Sequence, residues 1–207
     1  MDFDSQVTAV TRRTGRRGKK RTVELEQVFF AEPPAVWDAL TSPDAMSQWF
    51  DELSGNLKEG GRYRLGQSLH SGAIRTCDPL RQLDVTWEYE NDVSSLHITL
   101  RAKGEETLVN LVHAVDADEH WDMYGPAATG IGWEGAFHAL TLYLAGDSQS
   151  NPAEMAKQHS TPEGLQFITD LAESWREAHV AAGADPDLAK ACATRTARFY
   201  RGEAPPK

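Results

Sequence analysis

The feature that most constrains this chain is a change of hydrophobic period along its length. In LRQLDVTWEYE, Leu83, Val85, Trp87 and Tyr89 alternate with Asp84, Thr86 and Glu88, and in SLHITLR, Leu96, Ile98 and Leu100 alternate with His97, Thr99 and Arg101. Period two with one apolar face marks half-buried strands. After Val115 the period becomes 3.6: Trp133, Phe137, Leu140 and Leu144, with Ala136 beside them, form one stripe on a helix near 130–146. A sheet with one apolar face and a helix with one apolar stripe satisfy each other when the sheet curls around the helix.

The flanking segments extend this plan. RTVELEQVFF reads as a first strand, and AEPPAVWDALTSPDAMSQWF reads as two short helices, with Pro33, Pro34 and Ser42-Pro43 in helix-start positions. Glycines then lead into a strand with Tyr63 and Leu65 on one face. Hairpin-length loops join the later strands, so the expected class is α+β, with an antiparallel sheet of about six strands in the order β-α-α-β-meander-α. Beyond residue 150, Asn151-Pro152, Thr161-Pro162 and Asp185-Pro186 each place a capping residue before a proline, which predicts three helices. The middle one gathers Leu165, Ile168, Leu171, Ala172, Trp175 and Ala178 on one face, to be covered by the domain or by a second subunit, so a homodimer through these helices is one expectation.

Charge narrows the partners. The chain has 21 Lys and Arg against 31 Asp and Glu, a net charge of -10. Seven of the basic residues fall within 1–21, read here as a basic, disordered tail, and the acidic remainder repels nucleic acid. No run approaches the roughly 18 apolar residues of a membrane span, and the expected location is cytoplasmic. Cys77 and Cys192 lack metal-site spacing and read as reduced thiols. Asp116, Asp118, Glu119, His120 and Asp122 lack the glycine of a calcium loop and read as a solvated acidic loop, so no metal is expected.

GIGWEG, residues 130–135, matches the dinucleotide pattern G-x-G-x-x-G. It lacks a buried strand before it and a parallel strand after it, so no cofactor is expected. Its glycines read instead as a close approach of the long helix's first turn to the sheet. There is no G-x-S-x-G, P-loop lysine or H-E-x-x-H.

The segments FFAEPPAVWDALTSPDAMSQWF, GGRYRL, CDPLRQLDVTWEYE, TLVNLVH and GWEGAFHALTLYL, in this order, resemble the START-like, birch-pollen-allergen-like superfamily. Within it they are most similar to the branch named for activators of the heat-shock-protein ATPase. The resemblance spans about residues 23–146 and implies a helix-grip fold, often with an internal cavity for an apolar or amphipathic ligand. It implies no single activity. The expected organisation is a helix-grip domain at 22–147 and a helical extension at 151–207.

Candidate ligand-binding residues are Tyr63, Leu65, Trp87, Tyr89, Ile98, Leu111, His113, Trp133 and Phe137, which would equally fill a solid core. The leading expectation is a module binding a small apolar or amphipathic molecule. One alternative is a cyclase/aromatase-like or hydrolase-like enzyme polarising a carbonyl with His113, Tyr89 or Tyr63; another is a protein that modulates a chaperone ATPase.

Overall fold

A computed structural model describes residues 2–203; the remainder of the expected tail and extension, Met1 and 204–207, lies outside the described residues. Eight strands form one open, curved antiparallel sheet: β1 (Thr11–Arg17), β2 (Lys20–Phe29), β3 (Leu53–Gly55), β4 (Arg62–Leu65), β5 (Ser71–Asp78), β6 (Gln82–Tyr89), β7 (Asp92–Lys103) and β8 (Glu106–Val115). Their order is β1-β2-β8-β7-β6-β5-β4-β3, so β4 to β8 make the expected meander and β2 returns to pair with β8. The two strands beyond the expected six are β1 and β3, at the sheet edges.

Eight helices accompany the sheet among the described residues: α1 (Phe3–Ala9), α2 (Pro33–Thr41), α3 (Pro43–Trp49), α4 (Glu119–Tyr124), α5 (Ala127–Leu144), α6 (Pro152–His159), α7 (Pro162–Ala181) and α8 (Pro186–Tyr200). The concave side of the sheet holds α5, whose Phe137 and Leu140 are buried there with Val23, Leu25, Phe29 and Leu111. None of the helices among the described residues is long and apolar enough to cross a membrane.

The expected disordered tail is instead structured. Asp2 caps α1 by accepting the Ser5 N–H at 2.8 Å, and β1 adds to the edge of β2 from Thr11 opposite Glu26 to Arg17 opposite Lys20. Charge does not expel this strand, because Arg12 turns inward and donates from Nε and Nη2 to Glu134 at 2.6 and 2.5 Å. The acidic segment is solvated as expected, with Asp116, Asp118, Glu119, His120 and Asp122 all exposed, but its second half is the helix α4 rather than loop. Asp118 caps α4 by accepting the Trp121 N–H at 2.9 Å, Asp116 pairs with Lys20 at 2.7 Å, and Trp121 is buried.

The three proline-led helices start where the caps predict, with Asn151, Thr161 and Asp185 accepting backbone N–H groups of the first turns. Phe167, Ile168, Leu171 and Trp175 of α7 are buried within the chain, so the face offered to a second subunit is covered by α1, β1, α5 and α8. GIGWEG sits inside α5, and its glycines face these C-terminal helices rather than the sheet. A Cβ on Gly130 would lie 2.2 Å from the Trp175 ring, so the missing side chain is what admits that indole.

Candidate functional site

Between α5 and the sheet lies an apolar cavity of about 120 Å³. Seven of the nine expected residues line it: Tyr63, Leu65, Trp87, Ile98, Leu111, Trp133 and Phe137. A solid core would leave no space larger than a water, so the cavity rather than the filled core describes this interior. Sequence reading missed the contribution of α3 and the segment after it, where Met46, Trp49, Phe50, Leu53 and Leu57 close one side. The only signal was Trp49-Phe50, which reads as the end of a short helix because no period extends across it.

Tyr89 and His113 do not line the cavity. Tyr89 is the last residue of β6, paired with Asp92, and is 44% exposed because it stands at the rim of the sheet. Both residues line a second, more polar cleft of about 550 Å³, with Asp51, His70, Ser94 and His120 and with Tyr200 of α8. Phe50, Trp87 and Trp133 belong to both spaces. Trp133 meets Trp87 edge to face, with centroids 5.1 Å apart, and stacks nearly parallel to Phe50 at 6.3 Å. These three rings are a common wall between an apolar chamber and a polar vestibule.

One hydrogen-bond chain fixes that wall. The Trp133 indole can only donate, so its Nε1–H bond of 2.9 Å makes His113 Nδ1 an acceptor and puts the imidazole proton on Nε2. Nε2 then donates to Ser94 Oγ at 2.8 Å, and the Ser94 hydroxyl donates to the Trp87 carbonyl at 2.9 Å. Burial lowers the His113 pKa to about 4, with His70 adding to the effect, and the imidazole is neutral near pH 7.

The remaining polar groups are also engaged. Tyr63 donates its hydroxyl to the Thr86 carbonyl at 2.8 Å, and burial pushes that hydroxyl far above the ordinary tyrosine value. Burial would raise the Asp51 carboxyl, but N–H groups of Gln67, Ser68 and Glu52 bind it and bring it below its ordinary value. His70 lies between Trp87 and Tyr89, and burial lowers its pKa against the opposing effect of a hydrogen bond to the Ser68 backbone. Of the three side chains considered for carbonyl polarisation, Tyr89 and His113 line the polar cleft and Tyr63 the apolar cavity, and Tyr63 and His113 are already committed to hydrogen bonds. No group of three or more His, Cys, Asp or Glu among the described residues could hold a metal.

The sequence profile described as Activator of Hsp90 ATPase homolog 1-like protein matches residues 31–145, more than half of the chain. This chain belongs to that family. The family match runs from the approach to α2 to the end of α5, and so contains the cavity, while α1, β1 and the C-terminal helices lie outside it.

Among solved structures, the crystal structure of CalU16 from Micromonospora echinospora is 31% identical with a TM-score of 0.68, covering 82% of this chain and 98% of its own. Its solution structure gives 30% and 0.71, covering 84% and 97%. PFC0360w, an HSP90 activator from Plasmodium falciparum, is 18% identical with a TM-score of 0.52, covering 60% of this chain and 96% of its own, and so shares the fold. No curated protein matches the sequence. The family and these neighbours place the chain in the START-like superfamily with a helix-grip fold.

Proposed function

We propose that this protein binds a small amphipathic molecule, with its apolar part in the chamber under α5 and its polar part in the vestibule. The observation that carries this reading is the aromatic wall of Phe50, Trp87 and Trp133 shared by the two spaces. A chamber of about 120 Å³ compares with the roughly 150 Å³ of an apolar cavity that stays dry and admits benzene, so it suits a short alkyl group or a single ring. Any larger apolar part displaces Trp133 or Phe50. In the vestibule, His70, Tyr89 and His120 supply polar groups to the lining. A cytoplasmic location belongs to this reading and is supported by the two free thiols, Cys77 and Cys192.

Native mass spectrometry of the protein purified from its own host should show a co-purifying small mass. Titration with phenol and with 1-hexanol should change the tryptophan emission saturably. Absence of an adduct together with unchanged emission for both probes would remove the reading.

A further inference from the structure

The β1–β2 hairpin carries a pair of arginines that the fold leaves without an anion. Arg16 and Arg21 are register partners in the antiparallel ladder. Like charges directly opposite one another destabilise a ladder, and this chain has 31 carboxylates with which to neutralise them. On the same hairpin Arg12 is neutralised by Glu134, Arg13 by Glu24 and Lys20 by Asp116, while Arg17 and Lys19 are exposed to solvent at its tip. Neither Arg16 nor Arg21 forms an ion pair among the described residues.

Both arginines line one cleft of about 550 Å³, bounded by the hairpin, α4 and the turn between α7 and α8. It shares no lining residue with the apolar chamber. The Arg21 guanidinium lies over the Trp121 ring, 5.7 Å from its centroid, which orients the group without neutralising its charge. His179 stands beside them, with its Nδ1 lacking a hydrogen-bond partner among the described residues. Two carboxylates also reach this cleft. Asp185 is engaged as the cap of α8, accepting the N–H groups of Asp187 and Leu188, and Asp122 is exposed and forms no ion pair with either arginine.

We infer that this cleft binds a phosphate group carried by a small molecule or a lipid. Two unpaired guanidiniums match the two charges of a phosphomonoester, and their planar forks suit its oxygens. A single carboxylate would leave one arginine uncompensated. The volume falls within the range of small-molecule sites and leaves room for the organic remainder.

Calorimetric titration with inorganic phosphate and with phenyl phosphate, at constant ionic strength set by chloride, tests this on the full chain. Arg16→Gln and Arg21→Gln should each weaken binding by about tenfold or more, the factor expected for one charge-assisted hydrogen bond. Arg17→Gln, one position along β1 and so on its opposite face, should leave binding unchanged. Thermal melts of the three variants show whether each is folded. A parallel arm uses phosphatidylcholine vesicles with and without phosphatidic acid. Saturable binding of phenyl phosphate assigns a small-molecule source, and binding confined to the phosphatidic acid vesicles assigns a lipid headgroup. Binding in neither arm, or weakening by Arg17→Gln equal to that by Arg16→Gln, overturns the site.

Discussion

On the side of α5 that faces α7, a single added methyl group would collide with Trp175, whereas on the side that faces the sheet the same helix encloses a cavity of about 120 Å³. At roughly 24 cal/mol per Å³, a cavity of that size costs about 3 kcal/mol of stability. The packed side is where this loss is offset. Trp175 is wholly buried against Gly130, its indole N–H donates to Glu134 at 2.7 Å, and Arg12 binds the same carboxylate through two N–H groups. Burial raises the Glu134 carboxyl, while these donors favour its ionised form. Two segments distant in sequence, β1 and α7, thus hold α5 from behind, and the helix does not slide inward to fill the chamber.

The largest expected effect comes from breaking the packed side. Arg12→Met leaves the Glu134 carboxylate buried without its countercharge and should lower the unfolding free energy by about 3–5 kcal/mol in urea titrations. Adding Glu134→Leu to that variant should restore much of the loss, because an apolar pair of similar volume has no charge to desolvate. A cost below about 1 kcal/mol for the single change would show that this ion pair does not anchor α5.

A second, smaller effect belongs to the hollow side. His113 has a folded pKa of about 4, below the ordinary 6.5, so between these values the unfolded chain binds more protons than the folded one. Stability from this group is fully present above pH 6.5 and is lost as pH falls toward 4, by roughly 3 kcal/mol. The physical event is a proton on Nδ1 facing the Trp133 N–H. Urea unfolding of the wild type and of His113→Gln at pH 7, 6, 5 and 4.5 isolates this contribution. Equal slopes would mean that His113 is not held neutral.

Both sides of α5 were written into the sequence, but not equally legibly. The hollow side could be read because strand alternation and the helix stripe are local periods, and they returned seven cavity residues from Tyr63 to Phe137. Tyr89 was misplaced because alternation gives the face of a strand and not where the sheet ends. The packed side was illegible for the opposite reason. Arg12 and Glu134 are 122 positions apart, and each looks like a surface charge until the other is beside it. Gly130 likewise resembles a phosphate-loop glycine until Trp175, from an element with no shared period, is laid across it. The α7 stripe announced that something must cover it, and its identity depended on tertiary contacts that composition does not encode.

The sharpest test adds carbon to the two sides of one helix. Gly130→Ala should gain up to about 1 kcal/mol in helix propensity. Its Cβ would nevertheless lie 2.2 Å from the Trp175 ring, and forcing the indole aside should make the net change a loss of about 1–3 kcal/mol. Ala136, six residues along α5, borders the chamber. Ala136→Leu adds more volume than Gly130→Ala, yet it grows into existing space, and unfolding free energy should stay within about 1 kcal/mol of wild type. Phenol should then no longer alter the tryptophan emission of Ala136→Leu, while Gly130→Ala retains the response at temperatures where it is folded. If Ala136→Leu destabilised as much as Gly130→Ala, the sheet side of α5 would be as tightly filled as the α7 side. If it were stable and still responded to phenol, the chamber would not be where the probe binds.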